Sequence, residues 1–171
     1  MDSQKFINII LQDTFTREDA VRRLRVLRII LEQKFFTQSK DSSLLQSRDI
    51  SPDDYKIVQS WLSLSPDLFN HINIYKVLNN ISNSLDKLPD IIFYVASEIN
   101  DPLYLAKITQ WVREFIAPCA LLDLKVDPRK VGGLAFVQEG RLQDYSLALF
   151  MKRKRQDILD LIRDYSISPP M

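Results

Sequence analysis

The chain of 171 residues is 46% hydrophobic and 26% charged, a composition typical of a folded globular protein that argues against extended disorder. Its formal net charge of +1 provides no general attraction to nucleic acid or anionic membranes, so such binding would need a local patch. One cysteine cannot form an internal disulfide, and with a single histidine the chain lacks the ligands of a Cys/His zinc site.

The N-terminal sequence Met-Asp-Ser-Gln-Lys-Phe has the features of neither a secretory signal nor an arginine-rich transit peptide. No apolar run approaches the ~18 residues that a membrane-spanning helix needs. We therefore expect the protein to stay in the cytoplasm.

The first half of the chain is predicted to form a helical bundle. Phe6, Ile9 and Ile10 mark a short leading helix. Thr16 begins a second helix that reaches about Phe36, with apolar residues at spacings of four and three: Ala20, Leu24, Leu27 and Leu31. Its other faces carry arginines, which we interpret as a solvated surface because acidic residues are interleaved: Arg17, Arg22, Arg23, Arg25 and Arg28. The serine-rich residues 37–49 are predicted to be a loop.

Two similar sequences, Ser-Pro-Asp-Asp from Ser51 and Ser-Pro-Asp from Ser65, are typical of helix starts. A serine caps the helix, proline occupies its first position, and an acid follows near the positive end of the dipole. The first is predicted to begin a helix through Trp61, and the second a helix to about Leu85. The second helix should carry the following residues roughly on one face: Leu68, Ile72, Tyr75, Leu78 and either Ile81 or Ser82. His71 is expected to be a partly buried surface residue.

Pro89 would break a continuing helix, which predicts a boundary between an N-terminal domain of residues 1–87 and a C-terminal domain of residues 88–171. The predicted order of elements after it is strand, helix, strand, strand, helix. The three strands are predicted at residues 91–97, 122–127 and 134–137. The first helix is predicted from residue 101, with Leu105, Ile108, Val112 and Phe115 on one face, and the last helix from about residue 147 to 165. Cys119 is expected to be a small buried hydrophobic residue. The predicted fold class is α+β and mostly helical: an N-terminal helical bundle followed by a small α/β domain.

All three glycines of the chain, Gly132, Gly133 and Gly140, fall within nine positions. The adjacent pair predicts a bend or a close backbone contact before the strand at 134–137, where a side chain would collide with a neighbouring helix. Gly140 predicts a tight turn. Asp144 and Ser146 are suited to bonding free backbone amides and capping the last helix.

These residues also carry a resemblance to a known family. The segment Val126-Asp127-x-x-x-Val131-Gly132-Gly133-Leu134-x-Phe136, continued by Gly140, Asp144-x-Ser146-Leu147 and a basic amphipathic helix, resembles the C-terminal signature of the delta subunit of bacterial F-type ATP synthases. The mitochondrial counterpart of that subunit is the oligomycin-sensitivity-conferring protein. The similar stretch covers residues 88–155, and a helical bundle before such a domain is the organisation of the family. The first helix departs from it, with Phe6-Ile-Asn-Ile-Ile-Leu where the family has a Tyr-Ala-x-Ala-Leu-like pattern.

The resemblance implies a non-catalytic stator subunit, without metal or cofactor, that joins the catalytic head to the peripheral stalk. Its N-terminal bundle would grip N-terminal helices of the alpha subunits, and its C-terminal domain would hold the end of a b-type stalk subunit. Asp127, Gly132, Gly133, Gly140, Asp144 and Ser146 would then be structural. The candidate stalk interface is Leu147, Met151 and Ile158, and the candidate head interface is Phe6, Ile9 and Ile10. Such a subunit is cytoplasmic and peripheral to the cell membrane, which it meets only through the complex.

Two other functions are less well supported by the sequence. The chain has neither Gly-x-x-x-x-Gly-Lys nor Gly-x-Gly-x-x-Gly, so an enzyme with a phosphate-binding loop is disfavoured. The run Lys-Arg-Lys-Arg at residues 152–155 after a hairpin favours a winged-helix-like nucleic-acid-binding protein as the alternative. Against this, a wing normally follows its recognition helix, and acidic residues share this helix: Asp157, Asp160 and Asp164. We therefore expect no nucleic-acid partner.

Overall fold

The structure is a computed structural model that describes residues 3–36, 50–99, 101–138 and 140–167, so the predicted loop at 37–49 lies outside the described residues. These ranges contain seven helices and four strands, which confirms a mostly helical α+β fold. None of the helices in these ranges is both long and apolar enough to cross a membrane.

The chain divides into two compact units. The first consists of Met1–Asp90 and Leu105–Leu122, and the second of Ile91–Tyr104 and Asp123–Met171. The predicted boundary after residue 87 lies close to the first passage between the units. The segment Leu105–Leu122, which the sequence placed in the C-terminal domain, groups instead with the N-terminal helices.

The N-terminal segment of the first unit contributes four helices: α1 Ser3–Asp13, α2 Arg17–Phe36, α3 Pro52–Leu64 and α4 Ile74–Asp86. The predicted starts of α2 and α3 are confirmed in position. Thr16 caps α2, since its Oγ1 accepts a 3.0 Å hydrogen bond from the Asp19 amide, whereas the Ser51 side chain makes no capping hydrogen bond to the described first turn of α3. Large side chains fill the core between the helices: Phe6, Ile10, Leu27, Leu31, Trp61, Ile74, Ile81 and Leu85.

The predicted start of α4 at Ser65 is wrong. The Ser65 carbonyl accepts from the Leu68 amide at 3.3 Å, which closes a turn instead. Asn70 and Asn73 provide the start, since each side-chain oxygen accepts the other residue's backbone N–H, at 2.8 and 2.9 Å. The buried face of α4 is consequently Ile74, Leu78, Ile81 and Leu85, while the predicted members Ile72 and Tyr75 are exposed. His71 is exposed as well.

Four arginines of α2 form ion pairs: Arg17, Arg22, Arg23 and Arg28. The predicted solvated surface is confirmed for Arg22, Arg25 and Arg28, which are exposed, and is wrong for Arg17 and Arg23, which are half-buried. Arg22 and Arg23 both bind the buried carboxylate of Asp54 in the first turn of α3. Arg17 reaches the carboxylate of Asp90 at 2.7 Å. Burial raises the pKa of Asp54, but hydrogen bonds from the two arginines outweigh it and hold the pKa below its usual value.

The remaining regular elements before the last helices are β1 Asp90–Val95, α5 Pro102–Phe115, β2 Leu121–Val126, β3 Gly133–Gln138 and β4 Arg141–Ser146. The sheet order is β2-β1-β3-β4, with β3 antiparallel to both neighbours. β2 runs parallel to β1, as the bonds from the Leu121 amide to the Pro89 oxygen and from the Asp127 amide to the Val95 oxygen show. The prediction missed β4, which arises because the turn at Gly140 pairs Gln138 with Arg141.

Two predictions around α5 are also wrong. Val112 is buried as expected, but Phe115 on the same predicted face is exposed, and the polar Thr109 is buried in its place. Thr109 is tolerated there because its hydroxyl donates to the Leu105 carbonyl at 2.8 Å. Cys119 is exposed, with a left-handed φ of 62° in the turn between α5 and β2.

The predicted last helix is two helices, α6 Leu147–Arg153 and α7 Arg155–Ile167. Lys154 separates them, with a φ of −97° and a ψ of 12° that fall outside the α-helical range. The Lys154 amide donates to the Phe150 carbonyl at 2.9 Å, and the Ile158 amide donates to the Lys154 carbonyl at 3.0 Å. The two helices therefore follow one another without a connecting loop.

Candidate functional site

The adjacent glycines form a tight backbone junction in the second unit. Gly132 and Gly133 have φ angles of 68° and 72°, in the left-handed region that favours glycine. A Cβ on Gly133 would lie 2.4 Å from the Tyr145 carbonyl oxygen and 2.9 Å from the Ser146 Cα. The predicted close contact is confirmed, but its partner is the backbone at the end of β4 rather than a helix.

The same junction fixes the beginning of α6. Gly133 pairs with Ser146 across the β3–β4 ladder, and the Leu147 amide donates to the Gly132 carbonyl at 3.3 Å. Ser146 is the N-cap, and its hydroxyl accepts from the Leu149 amide at 3.3 Å. The expected capping role is therefore taken by Ser146.

Asp144 completes the junction from β4. Its carboxylate accepts a 2.8 Å hydrogen bond from the Ser146 amide and lies 3.9 Å from the Lys130 ammonium. Hydrogen bonds from Ser146, followed by the charges of Lys130 and Arg153, lower the pKa of Asp144. Lys130 was not predicted, since a lysine in a turn carries no motif that would mark it.

Two of the motif residues stand apart from this junction. Asp127 follows β2, and its carboxylate accepts a 3.0 Å hydrogen bond from the Nε of Arg129, two residues later. This bond lowers the pKa of Asp127. Gly140 lies in the hairpin turn with a φ of 74°, and no described atom lies within 4 Å of the point where a Cβ would stand. The structure thus brings together Gly132, Gly133, Asp144 and Ser146.

The junction presents an exposed apolar stripe along α6 and α7, which we define as Leu147, Met151, Ile158 and Leu161. Leu147, Met151 and Leu161 are 47%, 48% and 69% exposed, and Ile158 is half-buried. Phe150 and Leu159 are exposed beside the stripe. Leu161 and Phe150 were missed as site residues, although the 3.6-residue period of the final helix could have found them.

Polar residues border this stripe. Lys154 lies at the junction of the two helices and donates from its ammonium to the Asp157 carboxylate at 2.8 Å. Lys152, Arg153 and Arg155 are exposed around the same junction. An apolar helix face with a charged border has the composition of a contact for another amphipathic helix.

The candidate head interface is corrected by the structure. Phe6 and Ile10 are 0% exposed in the core of the first unit, and Ile9 is half-buried. Their apolar pattern reflects packing against the other bundle helices, since Phe6 lies edge-on to Phe69 with ring centroids 5.4 Å apart. A partner of this unit would have to contact other residues.

The C-terminal end of α1 is held by Arg113 of α5. Its guanidinium donates to the carbonyls of Leu11, Thr14 and Ala120 at 2.7, 2.9 and 3.0 Å. Burial lowers the pKa of Arg113. Backbone oxygens thus accept the hydrogen bonds of a half-buried guanidinium and link residues 105–122 to the helices of the N-terminal segment in the first unit.

No protein-family model and no curated protein sequence matches this chain. The main feature of the site is an apolar helix face that the second unit holds in position through a glycine-dependent backbone junction and leaves exposed to solvent.

Proposed function

We propose that the chain is a delta-type stator subunit of a proton- or sodium-translocating F-type ATP synthase, and that it joins the catalytic head to the b-type stalk. The observation that carries the proposal is the exposed apolar stripe on α6 and α7, which begins at the Gly-Gly and Asp-x-Ser residues behind the family resemblance. Exposed apolar surface of this kind favours a permanent protein partner.

The activity of such a subunit is mechanical. A stator resists the torque of the rotor, and two attachments on one chain raise the effective concentration of each contact once the other has formed. The stripe supports the stalk attachment, whereas the head attachment rests on the resemblance. In this role the protein is cytoplasmic and reaches the membrane only as part of the synthase.

The stripe can be tested with two variants that add the same charge to different faces of α7. Leu161→Glu places a carboxylate within the stripe, and Gln156→Glu places one on the opposite side of the helix. We expect Leu161→Glu to weaken binding of a b-type stalk C-terminal fragment by about tenfold or more, because a buried carboxylate costs at least about 1.4 kcal/mol. Gln156→Glu should bind like the unmodified protein.

Calorimetric titration of the full chain against the stalk fragment, an alpha-subunit N-terminal peptide and a random DNA duplex provides the measurement. Binding to the synthase components should persist from low to physiological salt. Duplex binding through phosphates would fall by about 0.9 log units per neutralised phosphate for each log unit of salt. Tight duplex binding at physiological salt, with no binding to either synthase component, would favour the nucleic-acid-binding alternative and refute the stator proposal.

A further inference from the structure

β4 forms an edge of the four-stranded sheet. In the order β2-β1-β3-β4 it is the last strand among the described residues. The Leu147 amide bonds to the Gly132 carbonyl, and in an antiparallel ladder bonded pairs alternate with unbonded ones. The register of β3 and β4 therefore directs the backbone groups of Leu142, Asp144 and Ser146 away from β3. A row of outward amides and carbonyls of this kind is a template for another strand.

Exposed apolar side chains along β4 favour the addition of such a strand. Leu142 is 59% exposed and Tyr145 is 63% exposed, so an added strand would cover apolar surface as well as backbone groups. Because alternate residues of a strand share a face, Leu142 lies on the same face as Asp144. An exposed edge with apolar side chains associates with other strands unless a residue on it prevents pairing.

The Asp144 side chain occupies this edge. Its carboxylate accepts a 2.8 Å hydrogen bond from the Ser146 amide, which is one of the groups that the ladder directs outward. An incoming strand would have to displace the carboxylate from this amide and remove water from it, which is costly for a charged group. Hydrogen bonds from Ser146 lower the pKa of Asp144, so the carboxylate is charged at neutral pH. The Lys130 ammonium, 3.9 Å away, is too distant to donate a hydrogen bond to it.

We propose that Asp144 closes the edge of β4 against the same strand of a second copy of this chain. In an antiparallel pair of two β4 strands, the outward residues of one copy lie opposite those of the other. If Asp144 lies opposite Asp144 of the second copy, the two carboxylates meet directly. If it lies opposite Leu142 or Ser146, they are diagonal neighbours on one face, and like charges at such positions oppose pairing. The closed edge is a property of the fold and holds whatever partner the stripe on α6 and α7 binds.

Sedimentation velocity of the full chain over a range of concentrations provides the test. Asp144→Thr removes the charge and places a residue that favours strands at the edge. We expect the dissociation constant for its self-association to be about tenfold or more lower than that of the unmodified protein, because juxtaposed like charges strongly oppose association. Amide exchange should show new protection at positions 142 and 144 in the associated variant, since these amides would then bond to the second copy.

Two further variants separate the charge from the hydrogen bond. Asp144→Asn removes the charge and keeps an oxygen that can accept from the Ser146 amide, so it should also associate more tightly than the unmodified protein. Asp144→Glu keeps the charge and should associate no more tightly than the unmodified protein does. Circular dichroism melts confirm that each variant is folded.

Ser146→Ala is the matched control for a loss of stability. It removes the hydroxyl that caps α6 and leaves the Asp144 carboxylate on the edge, so it should lower stability without tightening self-association. Unchanged self-association of Asp144→Thr and Asp144→Asn would overturn the proposal. Equal association of Ser146→Ala, or association without new protection at positions 142 and 144, would overturn it as well.

Discussion

At the scale of single residues, Gly133 makes the most stringent demand on the sequence. Gly133→Ala should lower the free energy of unfolding of the second unit by about 3 kcal/mol, because left-handed strain adds to a collision with backbone that cannot rotate away. The colliding atoms are the Tyr145 oxygen and the Ser146 Cα, at 2.4 and 2.9 Å from the new Cβ. Urea unfolding monitored by amide exchange in β3 and β4 measures the change.

Gly140→Ala separates the two causes. Gly140 has nearly the same φ, 74°, but no described atom lies within 4 Å of its Cβ position, so its replacement should cost only about 1 kcal/mol. Equal losses at Gly133 and Gly140 would show that the close contact with β4 does not govern stability.

Asp54 should control part of the acid stability of the first unit. Because Arg22 and Arg23 hold its folded pKa below the unfolded value of about 3.9, its stabilisation is present above that pH and is lost as the pH falls through the folded pKa. Asp54→Asn should therefore cost about 1.5–3 kcal/mol at pH 7 and make the loss of stability below about pH 4 shallower.

Asp53→Asn is the control for this pair, because it changes a carboxylate in the same first turn of α3 that is exposed. Its effect should be limited to the weak interaction with the helix dipole, about 0.3–1 kcal/mol. Thermal melts from pH 2 to 7 compare the variants. If the stability of Asp54→Asn fell with decreasing pH as steeply as that of the unmodified protein, Asp54 would not control the acid stability of the first unit.

At the scale of elements, helix starts were predictable where the local signal had no competitor. Thr16 and Ser51 precede α2 and α3 as expected, whereas the equally clear signal at Ser65 gave way to a turn, because Asn70 and Asn73 cap each other further along. The helical spacing of apolar residues also failed to predict the exposure of Phe115. This spacing shows which residues share a face of a helix, but not how much of that face a neighbouring element covers.

The beginning of α4 gives a prediction at this scale. Asn70→Ala removes the acceptor of the Ile72 and Asn73 amides, bonds of 3.0 and 2.9 Å, and should destabilise the first unit by about 1 kcal/mol. Asp67→Ala, in the proline-containing turn that the sequence favoured as the start, should change stability by less than about 0.5 kcal/mol. Urea unfolding measures the two losses of stability. A larger loss for Asp67→Ala than for Asn70→Ala would indicate that the helix start at Ser65 predicted from the sequence is the correct one.

The candidate site shows the same division between local and long-range information. The need for glycine at 132 and 133 and for a cap at Ser146 was readable from residue type, because those demands are local. Burial of Phe6 and Ile10 was not, because an apolar stripe on a helix looks the same whether its partner is inside the chain or another protein. Lys130 near Asp144 depended on strand pairing, which residue types alone did not specify.

At the scale of the whole molecule, the first unit is discontinuous in sequence. A fragment of residues 1–90 lacks Leu105–Leu122 and with it the Arg113 bonds to the carbonyls of Leu11 and Thr14. It also loses the bond from the Leu122 amide to the Phe15 carbonyl. We expect this fragment to be less stable than a fragment of residues 1–122 by several kcal/mol, since buried acceptors and apolar side chains would be exposed.

Thermal melts and urea unfolding of the two fragments measure that difference. The 1–122 fragment contains every segment of the first unit and serves as the reference. Fragments of equal stability would mean that residues 105–122 contribute little to the folding of the helical bundle, and that the predicted boundary after residue 87 describes an independent domain.

The interleaving of the two units has a consequence for cleavage of the chain. The chain passes from one unit to the other three times, after residues 90, 104 and 122, rather than once through a single tether. A single cut at any one of these passages cannot release a complete unit, because each unit consists of two segments that a segment of the other unit separates in the sequence.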